Sequence, residues 1–290
     1  MQPHFTFFTS LTMNYQTSAK PKATGFTRIE LDSSAPSPVI IRASNKQIIT
    51  ALFSAMCLLI MFSLVADYLL IKYPPASHPD NHVVKKYIQF FYLNNEDNLP
   101  TLFSVVLLFI AALLNFTIGL VTARDNSKKK QKWYWYTLCA MFLFLGLDEG
   151  LQIHDMLGHV GPMETMAKES SLLLYGWVVP YAAGVLVAGF LFLRFVLNLP
   201  AKTRNWFIIS GTIYVGGALG LELVESWAHV NYGNNNMLER AMYTIEETME
   251  MTGSILFIYA LLDYIGLAKA SFTIGKFSLP AQTLSVSVAG

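Results

Sequence analysis

Eight carboxylates of this 290-residue chain sit where membrane segments are expected: Asp148, Glu149, Asp155, Glu222, Glu225, Glu246, Glu247 and Glu250. Two imidazoles, His154 and His229, accompany them. An unpaired charge at the centre of a membrane helix costs on the order of 3 kcal/mol, so leaving even half of these acids unpaired costs about 10 kcal/mol. Among Lys and Arg, only Arg240 falls at the same depth. The charge is therefore neutralised by protons shared between carboxyls or by a bound cation. Carboxylate and imidazole donors without a nearby thiol suit manganese or iron, with zinc and calcium as further options.

Spacing sorts these residues into stripes. Asp148, Gln152, Asp155 and His159 follow i, i+4, i+7, i+11, which is one face of a helix. Glu222, Glu225, Ser226 and His229 follow i, i+3, i+4, i+7, and Glu239, Tyr243, Glu246 and Glu250 repeat the first pattern. Three helices with one polar stripe each are what a shared interior site requires. The expected ligands are Asp148, Asp155, Glu222, Glu225, His229, Glu246 and Glu250. Glu149, His154 and Glu247 lie off the stripes and are expected to orient ligands or act as acid/base groups. Glu225 and His229 are spaced i, i+4 rather than the i, i+3 of soluble di-metal bundles, so the likeness to those bundles is one of donor set only. His159 and Glu239 are expected to be ordinary boundary residues, and Asp67 a structural hydrogen-bonding group.

The elements that must hold these groups follow from hydropathy. The chain is 53% hydrophobic and 13% charged, with a mean hydropathy of +0.42. Soluble domains carry about 25% charged residues, so the class is integral membrane protein. A net charge of +1 gives no electrostatic case for nucleic acid as a partner. Runs near 47–72, 100–122, 133–157, 171–197, 205–229 and 238–266 approach the roughly 20 residues a span needs. The expected fold is an all-α bundle of about six transmembrane helices over 47–268, between a disordered tail (1–46) and a flexible one (269–290). Met13 is an alternative start to Met1. Cys57 and Cys139 are read as core packing, Pro180 as a kink and Gly184 as a packing contact.

Basic residues alternate with the spans. Lys20, Lys22, Arg28, Arg42 and Lys46 precede the first, and Arg124 with Lys128, Lys129, Lys130 and Lys132 separate the second from the third. Arg194, Lys202 and Arg204 separate the fourth from the fifth, and Lys269 and Lys276 follow the sixth. This bias assigns both termini to the cytoplasm and all three acidic clusters to the outer half of the membrane. Trp133, Trp135 and Trp206 are expected as interfacial aromatics beside those loops, and 87–95 as an amphipathic stretch along the outer surface. A shared pattern, Leu145-Gly-Leu-Asp and Leu219-Gly-Leu-Glu with a His following in each, suggests a duplicated helix pair.

The function expected from these features is a metal-dependent membrane enzyme that hydrolyses or oxidises a lipid-like substrate arriving from the bilayer. The alternatives are a proton or divalent-cation transporter and a non-catalytic subunit with a structural ion. The expected location is the cell (inner) membrane, or else an organelle membrane, with membrane lipids as partners.

Overall fold

A computed structural model describes residues 44–74, 81–124, 129–233 and 236–267. All regular structure in them is helical. The tails expected at 1–46 and 269–290 lie outside the described residues apart from 44–46. There Ser44 caps α1 (Asn45–Lys72), with Gln47 closing the capping box. Then follow α2 (His82–Phe91), α3 (Leu99–Arg124), α4 (Lys132–Leu151), α5 (Ile153–Gly158), α6 (Pro162–Glu169) and α7 (Val178–Leu197). The described residues close with α8 (Ala201–Val215), a π-helical turn (Gly216–Leu221), α9 (Glu222–Tyr232) and α10 (Met237–Leu267).

Four helices are long and apolar enough to cross a membrane: α1, α3, α7 and the composite 201–232. Of the acid-bearing helices, α4 and α10 fall outside that set, because carboxylates interrupt their apolar surface. The short α2 lies over 82–91, covering much of the stretch expected to be amphipathic, and packs on α1. Its Tyr87 hydroxyl donates to the Phe62 carbonyl at 3.2 Å.

α10 is the axis of the fold, packing on α8, α3, the π turn, α1 and α9. Met251, Ile255, Ile258 and Leu261 of α10 are completely enclosed. One face of α10 is thus apolar core while its first half presents acids. Trp135 is also fully enclosed, against Phe195, Phe207 and Tyr264. It is a core residue and not the interfacial aromatic its position suggested, whereas Trp133 is exposed. Cys57 faces outward rather than into the core. Pro180 occupies the first turn of α7, where a missing N–H costs nothing, so it starts a helix instead of kinking one.

Two close approaches fix the register of the acid-bearing helices. A Cβ on Gly253 of α10 would lie 2.8 Å from Tyr214 Cβ of α8, and one on Gly217 would lie 3.0 Å from the Glu246 carbonyl oxygen. Both positions need a missing side chain. The π turn holding Gly217 adds a residue to the helical repeat, which rotates everything after it. Glu222 and Glu225 consequently begin α9 facing α10.

Candidate metal centre

The acids converge on one cavity of about 1460 Å³. Its walls include Asp148, Glu149, His154 and Asp155 from α4 and α5, Glu222 and Glu225 from α9, and Glu246, Glu247 and Glu250 from α10. Nine of the ten residues singled out from sequence therefore share a surface. His229 does not. Its Nδ1 lies 2.9 Å from Glu239 Oε1, and it does not border the cavity. Glu239 is 5% exposed, so it is not the solvated boundary residue its position implied. It belongs to the cap of α10, where Asn236 Oδ1 accepts from the Glu239 N–H at 2.9 Å and Glu239 accepts from the Asn236 N–H at 3.2 Å. Asp67 accepts from Arg240 at 2.6 Å and from the Tyr243 hydroxyl at 2.7 Å, tying α1 to α10. The cation at the acids' depth is thereby engaged elsewhere.

The first group of acids is organised by a break. The stripe Asp148–Gln152–Asp155–His159 does not run along one helix, because Gln152 adopts a left-handed conformation (φ 55°, ψ 42°) between α4 and α5. A non-glycine residue there is strained, and strain of this kind concentrates at functional sites. The turn carries His154 back over the end of α4. Its backbone N–H donates to Asp148 Oδ1 at 2.8 Å, and its Nδ1 lies 3.5 Å from that oxygen. The Tyr181 hydroxyl of α7 donates to the same oxygen at 2.8 Å. On the other side of the ring, Nε2 lies 3.5 Å from Glu96 Oε1 and 3.9 Å from Asp155 Oδ1. Glu96, His154 and Asp155 offer ligand atoms all within 4.8 Å of one another. A carboxylate thus faces each ring nitrogen, Asp148 at Nδ1 and Glu96 at Nε2, an arrangement that favours a proton on both. The imidazole thus supplies the positive charge that this group of carboxylates needs.

The second group has no such member. Glu222, Glu225 and Glu246 bring their oxygens within 4.8 Å of one another. Glu222 and Glu225 are 9% and 5% exposed. Glu246 is within hydrogen-bonding reach of both, and Tyr175 reaches Glu225. Two carboxylates at that separation need a proton or a cation between them. The Tyr175 hydroxyl is the donor described beside them. None of the described residues lining the cavity is Lys or Arg. An all-oxygen donor set of this kind suits a hard or borderline divalent ion.

Sequence reading missed Glu96, Tyr175, Trp177 and Tyr181. Glu96 lies just ahead of α3, so its one signal is a carboxylate beside a span that starts at the same end of the bundle as the α4 acids. The aromatic residues carried no signal of their own.

The family described as a domain of unknown function, DUF8692, matches residues 49–265, three quarters of the chain. The chain belongs to that family. The region shared with DUF8692 takes in the π turn, the Gln152 break and every acid lining the cavity. Neither the comparison with curated proteins nor that with solved structures gives a match.

Proposed function

We propose that this chain is a six-span membrane protein with both termini in the cytoplasm, and that it is a metal-dependent enzyme acting on a lipid-like substrate. In this reading α4 and α10 complete the six spans, and their acids lie toward the outer face. One observation carries the metal: three carboxylates from α9 and α10 converge within 4.8 Å at a cavity with no Lys or Arg among the described residues of its wall. Glu222, Glu225 and Glu246, with Glu250 one turn further along, would hold a first ion, manganese or iron by preference and zinc or calcium otherwise. Glu96 and Asp155, with Asp148 orienting His154, would hold a second or position the acid/base group. Glu149 and Glu247, which border the same space, complete the proton-transfer set with His154.

A bound ion in such a site supplies a Lewis acid or a metal-activated water, and so serves hydrolysis or oxidation. The surrounding residues do the rest. Tyr175 and Tyr181 fix carboxylate orientation, and the apolar walls supplied by α4, α7 and α8 exclude water and admit a substrate from the bilayer. The cell membrane is the proposed location.

Elemental analysis of the purified full chain tests the metal. About one or two equivalents of a transition metal are expected, lost in both Glu225→Ala and Glu246→Ala. Folded wild type that is metal-free and takes up no added manganese, iron, zinc or calcium would overturn the reading. It would favour instead a proton-coupled transporter built on shared carboxyl protons.

A further inference from the structure

α7 is held chiefly at its two ends. Of its residues only Val178 and Phe195 are buried. Tyr181, Gly184, Val185, Ala188 and Phe192, spaced i, i+3, i+4, i+7, i+11, turn one face to the cavity. Leu186 and Phe190 on the opposite face are 74% and 81% exposed. A Cβ at Gly184 or Gly189 would meet nothing within 4 Å, so no neighbour packs against either position.

α7 leans on α8 and the π turn, and its described ties to α4 lie at two places. At the acid end the Tyr181 hydroxyl donates to Asp148 Oδ1 at 2.8 Å. At the far end Phe195 stacks on Tyr134, with ring centroids 4.7 Å apart, and meets Trp135 edge-on at 5.1 Å. The two helices run antiparallel, and the ties are equally spaced along both, Tyr134 to Asp148 on α4 and Tyr181 to Phe195 on α7. At 1.5 Å per residue, the seam between the ties is about 21 Å long.

The space behind this seam cannot stay empty. An unfilled volume of about 1460 Å³ would cost several times the whole stability of an ordinary domain. Water fills polar cavities, where each molecule finds several hydrogen-bond partners. Between the two ties, the walls that α4 and α7 contribute are apolar apart from Thr137. α7 is long and apolar enough to cross a membrane, so the medium beside the seam is hydrocarbon.

We infer that α7 is a lateral gate, and that the hydrocarbon chain of a bilayer lipid enters the cavity through the α4–α7 seam, with α7 pinned by Phe195 and latched by Tyr181. The latch ends on the acids: the Asp148 oxygen that it holds also accepts from the His154 backbone N–H at 2.8 Å. This deepens, and rests on, the reading of the cavity as the site for a substrate from the bilayer.

The test uses the full chain in phosphatidylcholine nanodiscs, with Cys57 and Cys139 replaced by alanine. A nitroxide is attached in turn at Gly184→Cys, at Ala188→Cys and, as the bilayer-facing reference, at Phe190→Cys. Electron paramagnetic resonance reads its collisions with oxygen, which partitions into hydrocarbon, and with a water-soluble nickel chelate. Both cavity labels should meet oxygen at a rate within about twofold of the Phe190 label, and share its preference for oxygen over the chelate. A preference for the chelate would mean a water-filled cavity, and poor access to both would mean a packed one; either overturns the inference. Spin–spin distances then read the latch. Tyr181→Phe should widen the distance between labels at Val179 and Leu147 by several Å, and leave that between Leu197 and Trp133 unchanged. No widening, or equal widening at both ends, would overturn the latch. Metal content of the same samples separates the two readings. Metal bound beside a water-filled seam removes the gate alone, and a hydrocarbon-filled seam in protein that takes up no metal removes the metal alone.

Discussion

The two acid groups of this cavity are built from the same residue types at the same end of the bundle, yet they solve burial in opposite ways. Around His154, an imidazole sits among Asp148, Glu96 and Asp155, and Asp148 Oδ1 receives two hydrogen bonds at 2.8 Å. That group carries its own counter-charge and donors. Around Glu225, three carboxyls meet with Tyr175 as the one neighbouring donor described. The charge that balances them must come from outside the chain, as protons or as an ion. The difference teaches where to look for a ligand: at the group that lacks an internal partner, since a buried charge is tolerated only when paired.

The largest expected effect is on metal. Glu246→Gln should abolish retention of the first ion, read by elemental analysis, whereas Glu96→Gln should leave that ion in place. Loss in both variants would show one fused centre and dissolve the distinction between the groups.

Next is the contact that holds the second group together. Gly217→Leu would press a side chain onto the Glu246 carbonyl and Met249, each 3.0 Å from the new Cβ. We expect destabilisation of at least 1–3 kcal/mol by overpacking, roughly the usual range for such substitutions, together with metal loss. A thermal melt with parallel metal analysis reads both. Unchanged stability and metal content would mean that α9 and α10 are not locked in register here.

The comparison sharpens most in chelator-treated protein. His154→Gln should lower stability by about 3 kcal/mol, because carboxylates lose their cation. Glu222→Gln should be neutral or stabilising there, because it removes a buried carboxylate that has no cation partner. Shifts of the same sign in the two variants would erase the contrast. The smallest effect belongs to Gln152→Gly. It relieves a left-handed residue and should stabilise by roughly 0.5–1 kcal/mol with metal content unaltered. A loss of metal would instead make the Gln152 side chain itself part of the site.

Much of this was legible along the chain because it depends on local periodicity. Six long helical regions follow from apolar runs, and the i, i+3, i+4, i+7 spacing singled out acids that the fold then gathers at one cavity. Two features escaped the pattern. The α4 stripe assumed an unbroken helix, but Gln152 turns the chain, so His154, off the stripe, becomes the centre of its group while His159 is exposed. His229 fits its stripe, but the cap of α10 folds back and claims it through Glu239.

The sequence by itself determined an all-helical class, rich in membrane-length helices and short of cations at the depth of its membrane acids, since composition and helical periodicity are properties of neighbours along the chain. Only the tertiary structure decided which acids share an imidazole and which are left to one another. It also decided that Glu96 and Tyr181 join the His154 group, and that Gly184 meets no neighbour where a packing contact was expected. Those outcomes depend on a strained residue, a π turn and the approach of α10 to α8, and they join residues far apart in the chain, where spacing carries no information.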